Sequence, residues 1–184
     1  MEVILASRSP RRLHLLRSAG LSVEVRAPGA DETQEPGEDV KVLVRRLAAA
    51  KAATQAQAKL PVIGADTLVV IDNEPIGQPR DRQHAKHMLK RLAGREHEVI
   101  TGVCVRLGDA HRTDVVSTSV RFRPMQEREI ETYLDSNDYL DKAGAYAIQD
   151  GAASFVEATH GPLDNVIGLP VHRTMQMLGE VVGV

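Results

Sequence analysis

Cysteine, aromatic residues and net charge are all low in this chain of 184 residues. The one cysteine, Cys104, excludes an intramolecular disulfide, and its apolar neighbours favour a core position over a nucleophile. Tryptophan is absent and aromatic residues make up 3% of the chain, so base-stacking platforms for single-stranded nucleic acid are hard to assemble. A net charge of −2 also argues against a protein that coats nucleic acid. Any anion-binding site must therefore be local.

Long apolar runs and common nucleotide-binding motifs are missing as well. No run approaches the roughly 20 residues that span a bilayer, and the chain reaches a charged segment by Arg8 without a signal-peptide core. No Walker loop or dinucleotide fingerprint is present, and the seven histidines lack metal-ligand spacing. We expect a cytoplasmic protein with neither a membrane nor nucleic acid among its partners, and not a zinc hydrolase.

The segment at residues 7–12 (SRSPRR) predicts a strand-to-helix corner. The apolar run at 3–6 has the length and branching of a strand, and leucines recur afterwards at helical spacing. Ser9 is a good N-cap, Pro10 suits the first helical position, and Gly20 supplies a left-handed stop.

Arg11 and Arg12 fall in the first turn of this predicted helix. Free backbone N–H groups and the positive end of the helix dipole point the same way as the two guanidinium groups, and all of them favour phosphate. The alternative is a solvated basic turn, which adjacent arginines on a helix usually form.

Asp66 interrupts an apolar stretch at residues 61–71. Burying a carboxylate without partners is costly, so this side chain should have hydrogen-bond donors, a metal or a raised pKa. Each of these outcomes makes a functional site more plausible than it would be for a surface aspartate. A structural aspartate bonded to the backbone is the alternative.

Strand and helix patterns alternate along the chain, which predicts an α/β fold. Stretches 98–105 and 114–122 form a hairpin across Gly108-Asp109, and residues 136–151 form a loop too long for a mere connector. Further elements are predicted as strands at 22–26 and 154–158, and as helices beginning after Asp39 and at 83–92, 127–134 and 169–182.

Four motifs, in the same order as in the family, resemble the Maf family of nucleoside triphosphate pyrophosphatases, once described as septum formation inhibitors. They are residues 5–12 (LASRSPRR), 64–67 (GADT), 141–149 (DKAGAYAIQ) and 165–170 (NVIGLP). The resemblance runs nearly end to end and implies a single Maf-like domain over residues 1–184. It further implies a Maf/ITPase-like fold, with an elongated mixed sheet flanked by helices, two lobes around a nucleotide cleft, and a homodimer.

The same resemblance implies hydrolysis of dTTP and UTP to the monophosphate and pyrophosphate, which would limit non-canonical nucleotides. Asp66 corresponds to the family's proton acceptor. Arg11, Thr67 and Gln149 match the branch that prefers dTTP and UTP, and a carboxamide such as Gln149 can offer both a donor and an acceptor to a pyrimidine edge. Two alternatives stay open: the same chemistry on 7-methyl-GTP, and a non-catalytic nucleotide-binding regulator of cell division.

A triphosphate carries roughly four negative charges, so its site needs several cations and usually a divalent metal. The candidate metal ligands are Glu32 and Asp66, whose oxygens suit Mg²⁺, with Mn²⁺ or Co²⁺ as alternatives. By composition alone, Glu32 falls in an acidic loop that would be solvated, and Lys51 lies at the edge of an apolar stripe where lysines usually reach solvent. The candidate phosphate contacts are Ser7, Arg12, Lys51 and Lys142.

One position departs from the family pattern. Gln78 stands where family members typically have a lysine before the proline, so a cation expected near the phosphates is missing. Arg80 lies on the same side of an extended segment and is the residue that would compensate. The departure bears on rate and metal dependence more than on reaction type.

Overall fold

The computed structural model describes residues 1–136 and 138–183. The strands are β1 (Glu2–Leu5), β2 (Ser22–Val25), β3 (Val62–Ile71), β4 (Glu74–Ile76), β5 (Glu96–Leu107), β6 (Ala110–Phe122) and β7 (Val156–His160). The helices are α1 (Pro10–Ser18), α2 (Val40–Ala53), α3 (Arg82–Leu92), α4 (Glu127–Ser136), α5 (Leu163–Ile167) and α6 (Val171–Val182). Short 3₁₀ turns cover Ala143–Ala145, Ile148–Asp150 and Ala152–Phe155. None of the helices within these described ranges has both the length and the apolar character of a membrane span.

One mixed sheet contains all these strands, in the order β2-β1-β3-β5-β6-β7, with β4 paired to β3. Strand β1 runs parallel to β2 and β3, whereas β4 is antiparallel to β3 and β7 is antiparallel to β6. The neighbours β5 and β6 are joined by the two residues Gly108-Asp109, as the sequence predicted. The α/β fold with a mixed sheet flanked by helices is confirmed.

The chain divides into two compact units. The first comprises Met1–Thr67, Ile100–Val116 and the C-terminal segment from Gly168, and the second comprises Leu68–Val99 and Ser117–Ile167. The single domain, the two lobes and the nucleotide cleft expected from the resemblance stay predictions.

Helix α2 lies unusually close to the sheet of the first unit. A Cβ atom built on Gly64 of β3 would lie 2.4 Å from the Ala48 carbonyl oxygen, and one on Gly102 of β5 would lie 2.1 Å from that of Val44. Only a residue without a side chain permits such an approach of two backbones. The two glycines therefore bring the face of α2 that carries Lys51 against the sheet.

Four buried aromatic side chains lie among the aliphatic residues of the second unit's core, although aromatic residues are rare in the sequence: Phe122, Tyr133, Tyr146 and Phe155. Phe122 lies at the centre, with edge-on contacts to His97, Tyr146 and Phe155 at centroid distances of 4.9, 4.9 and 6.1 Å. Edge-to-face packing of this kind adds to the stabilisation from buried area.

The short elements differ most from the sequence prediction. Strand β4 and helix α5 were not predicted, and the strand expected at 154–158 begins at Val156 because a 3₁₀ turn precedes it. Elements of three to five residues are too short to show a period. In the predicted loop at 136–151, Ser136 still belongs to α4, Asn137 lies outside the described residues, and 3₁₀ turns cover Ala143–Ala145 and Ile148–Asp150.

Candidate active site

The corner after β1 has the predicted local structure. Ser9 is the N-cap of α1 and its Oγ accepts a hydrogen bond from the Arg12 backbone N–H at 3.4 Å, with Pro10 as the first helical residue. Ser7 Oγ accepts from the Ser9 backbone N–H at 3.1 Å. Arg11 is half-buried in the same turn. The corner therefore places two guanidinium groups at the positive end of the helix dipole.

Arg12 ties three segments of the first unit together. Its Nε donates to the Gly168 carbonyl oxygen at 2.8 Å, Nη1 donates to Ser7 Oγ at 3.1 Å, and Nη2 donates to Thr67 Oγ1 at 3.0 Å. A guanidinium has five N–H donors, so two remain for a phosphate oxygen. Ser7 and Arg12, both expected as phosphate contacts, thus also bind each other.

Burial and neighbouring charges act in opposite directions on Arg12. Arg12 is 9% exposed, and this burial lowers the pKa of its guanidinium, while the nearby Asp66 carboxylate raises it. Arg11 also lowers the pKa of Arg12, and Glu32 raises it, so both side chains lie close enough to Arg12 for their charges to act on it. An arginine remains protonated even when its pKa is lowered, because its ordinary pKa is so high. Arg12 therefore keeps its positive charge at this corner.

Asp66 has a hydrogen-bond donor, as the sequence required of a buried carboxylate. Lys51 Nζ lies 2.6 Å from Asp66 Oδ1, and the two residues are 6% and 7% exposed. The same Nζ lies 3.1 Å from Glu32 Oε1, and the Glu32 side chain is more than half exposed. Lys51 is buried, so the expectation from composition that it reaches solvent is wrong. The reason is the close approach of α2 to the sheet.

Donor and acceptor counts leave capacity for a ligand at this ion-paired cluster. An ammonium group has three N–H donors, and Lys51 uses two of them on Asp66 and Glu32. Within the described ranges, Asp66 Oδ2 receives no hydrogen bond, although Oδ1 does. One ammonium proton and one carboxylate oxygen are thus available to a substrate or a water molecule.

The two carboxylates fit a divalent metal. Glu32 Oε1 and Asp66 Oδ1 converge on a single atom, Lys51 Nζ, so their oxygens lie close together. Mg²⁺ is typically bound by one or two carboxylates together with substrate phosphates and water, and not by an all-protein cage. The described part of the chain contains no cluster of three or more His, Cys, Asp or Glu side chains suited to a metal.

Arg46 holds the acidic loop that carries Glu32. Its Nε and Nη2 each donate to a Glu38 carboxylate oxygen at 2.7 Å, and Nη2 also donates to the Thr33 carbonyl oxygen at 3.0 Å. Asp31 Oδ1 accepts from the Thr33 backbone N–H and hydroxyl, which closes a turn around Glu32. Sequence reasoning missed this role, and the one available signal was an arginine on α2 near an acidic loop.

Two of the predicted site residues, Lys142 and Gln149, belong to the second unit. Lys142 is buried, with Nζ 2.6 Å from Asp141 Oδ1 and 3.8 Å from Asp150 Oδ2. Gln149 is exposed in the 3₁₀ turn Ile148–Asp150. Gln78, which replaces the family lysine, donates from Nε2 to the Asp141 carbonyl oxygen at 3.1 Å. Its side chain therefore supports the backbone next to Lys142.

Two tyrosine hydroxyls anchor the segment that leads to Gln149. The Tyr146 hydroxyl lies 2.7 Å from His97 Nε2, and the Tyr133 hydroxyl accepts from the Ala147 backbone N–H at 3.2 Å. Burial lowers the pKa of His97 to about 4, so the imidazole is neutral, and burial also raises the pKa of Tyr146. This support was not predicted, because nothing in the spacing of His97 connects it to residue 146.

The mixed sheet, the anion-binding corner and the buried lysine–aspartate pair define an α/β protein with a charged site suited to a phosphorylated ligand. Comparison with known proteins identifies the family. The family profile described as "Maf-like protein" matches residues 2–181, and the chain belongs to the Maf family.

Similar proteins with assigned names agree with this assignment. The chain is 44% identical over 182 residues to a protein of Symbiobacterium thermophilum named dTTP/UTP pyrophosphatase, covering 97% of this chain and 93% of that one. It is 46% identical over 181 residues to a protein of the same name from an Anaeromyxobacter species, covering 96% and 87%. A solved HAM1 protein from Coxiella burnetii shares the fold at a TM-score of 0.51 and 15% identity, covering 98% of this chain and 99% of that one.

Proposed function

We propose that this chain hydrolyses nucleoside triphosphates, with dTTP and UTP as its main substrates, to the nucleoside monophosphate and pyrophosphate. The observation that carries the proposal is Lys51, whose ammonium group joins Asp66 and Glu32 beside the buried guanidinium of Arg12. Membership of the Maf family and the names of the relatives support the same reaction.

In the proposed reaction a water oxygen attacks the α-phosphorus and the bond from that phosphorus to the α–β bridging oxygen breaks, releasing pyrophosphate. Asp66 takes the proton of the attacking water on Oδ2 while Lys51 holds Oδ1 and fixes the carboxylate. The remaining N–H groups of Lys51 and Arg12 donate to phosphoryl oxygens, where negative charge builds up. A divalent metal held by Glu32 and Asp66 would neutralise triphosphate charge.

Base choice is assigned to the three residues that match the dTTP- and UTP-preferring branch, Arg11, Thr67 and Gln149. The exposed amide of Gln149 can pair with a pyrimidine edge, which has both donors and acceptors. The proposal also includes a phosphate contact from Lys142, Mg²⁺ as the metal, a homodimer and a cytoplasmic location. Light scattering on the purified chain would test the dimer.

The test is a panel of nucleotides with the purified chain and Mg²⁺, Mn²⁺ or Co²⁺, scored by released pyrophosphate and by chromatography of the monophosphate. We expect dTTP and UTP to give the highest kcat/KM. A preference for 7-methyl-GTP would contradict the assigned roles of Arg11, Thr67 and Gln149. Binding without hydrolysis of any nucleotide would contradict the enzyme and favour a regulator.

The variant Asp66→Asn tests the proton acceptor. Its amide oxygen can still accept from Lys51, so folding and nucleotide binding should survive while kcat falls by about 10²- to 10⁴-fold. The matched control is Asp114→Asn, another carboxylate of the first unit, which is paired with Arg173 at 2.5 Å. Undiminished turnover in Asp66→Asn would remove Asp66 from this role.

A further inference from the structure

Thr101 is a fully buried threonine that contacts one of the predicted specificity residues. It lies in β5 at 0% exposure, and its Oγ1 is 2.9 Å from Thr67 Oγ1. Thr67 Oγ1 also accepts from Arg12 Nη2 at 3.0 Å and donates to the Gly168 carbonyl oxygen at 3.3 Å. Nothing in the sequence motifs singled out Thr101.

The hydrogen-bond capacity of Thr67 decides how it can act. A hydroxyl has one proton and two acceptor lone pairs. Arg12 can only donate, so it occupies one lone pair, and the Gly168 carbonyl can only accept, so it takes the proton. The distance between the two threonine hydroxyls fits either direction; with the Thr67 proton on the Gly168 carbonyl, Thr101 is the donor into the second lone pair. With all three bonds made, the Thr67 hydroxyl has no capacity left for a nucleotide.

We propose that Thr101 is a positioning residue that acts through Thr67 on Arg12. By donating to Thr67 Oγ1 it turns the Thr67 proton towards Gly168 and keeps a lone pair facing Arg12 Nη2. The guanidinium is thereby held with its free N–H groups directed to the anion-binding corner. The Thr67 hydroxyl thereby influences substrate binding by holding Arg12. This inference rests on the proposed function.

A second buried threonine in the same unit offers a matched control. Thr174 of α6 is also 0% exposed, but its Oγ1 donates to the Pro170 carbonyl oxygen at 2.8 Å, within its own helical turn. Thr101→Val and Thr174→Val remove the same hydroxyl from equally buried positions. A general loss of stability should therefore appear in both variants, whereas an effect on nucleotide binding should appear in Thr101→Val alone.

The experiment measures kcat and KM for dTTP and UTP with Mg²⁺ in the full-length chain. Thr101→Val should raise KM about fivefold, the equivalent of one net hydrogen bond, with kcat within about twofold because Asp66 and Lys51 are untouched. Thr101→Ser, which keeps the hydroxyl, should restore KM, and Thr174→Val should leave it unchanged. Should Thr101→Val not fold, Thr101→Cys replaces it as a variant of similar size with a weak donor.

A double-mutant cycle separates action through Thr67 from independent action. If Thr101 works through Thr67, then Thr67→Val combined with Thr101→Val should raise KM no further than Thr67→Val alone. Additive effects, or an unchanged KM in Thr101→Val while the wild-type chain is active, would overturn this inference alone. A wild-type chain that hydrolyses no nucleotide would instead contradict the proposed function.

Discussion

Lys51 and Asp66 form an ion pair that is almost completely removed from solvent: Nζ lies 2.6 Å from Oδ1, and the two side chains are 7% and 10% exposed. Each charge of such a pair offsets part of the cost of burying the other. The pair therefore couples the stability of the first unit to the residues proposed for catalysis.

Removing one partner should be much more costly than removing a surface lysine. We expect Lys51→Met to lower the free energy of unfolding by about 3 to 5 kcal/mol, since it leaves Asp66 buried without its donor. The control is Lys41→Met, an exposed lysine in the same helix, which should change stability by about 0.5 kcal/mol or less. Chemical denaturation measures both, and equal stability of the two variants would show that Asp66 has another source of compensation.

Gly102 should be intolerant of even a methyl group. An added Cβ would lie 2.1 Å from the Val44 carbonyl oxygen, so Gly102→Ala must push α2 away from β5 and shift the face that carries Lys51. We expect a loss of about 1 to 3 kcal/mol or more, together with reduced activity. Gly29→Ala, at a position with open space around it, should be neutral in the same thermal and denaturant unfolding experiments. A neutral Gly102→Ala would mean that the helix can move without cost.

The part of the site that could be predicted from sequence is local. Ser9, Pro10 and the following leucines determine the corner through capping and periodicity, and Asp66 is conspicuous because a carboxylate interrupts an apolar strand. Both signals are contained in a few consecutive residues, and the structure agrees with them.

The remaining contacts are non-local and leave no short-range pattern. By its position in the helix pattern, Lys51 is an ordinary lysine at the edge of an apolar stripe. Its burial follows from Gly64 and Gly102, which bring α2 onto the sheet, and a single glycine does not reveal which helix approaches it. Arg12 is predicted as a phosphate contact from its local sequence, whereas its bond to the carbonyl oxygen of Gly168 joins residues 156 positions apart and has no local signal. Pairings of this kind depend on tertiary packing, which periodicity does not encode.

His97 should make the second unit sensitive to mild acid. Burial lowers its pKa from 6.5 to about 4, so between these values the unfolded chain binds a proton that the folded chain does not. Stability should therefore be fully present above about pH 6.5 and fall as the pH drops towards 4, by on the order of 3 kcal/mol. The His97→Gln variant should lack this dependence. An NMR titration of the His97 imidazole with a midpoint near 6.5 would contradict the prediction.

Arg46 should control the affinity for the metal without taking part in the reaction. Its bonds to Glu38 and to the Thr33 carbonyl hold the segment that follows Glu32, so Arg46→Gln should let the Glu32 carboxylate move away from Lys51. We expect the Mg²⁺ concentration for half-maximal activity to rise about twofold to fivefold, with kcat unchanged at saturating Mg²⁺, since the side chain is partly solvated. Arg26→Gln is the matched control, because Arg26 makes a similar two-bond pair with Glu24. An equal shift in both variants, or a fall in kcat that added Mg²⁺ does not restore, would show that Arg46 does not act through Glu32.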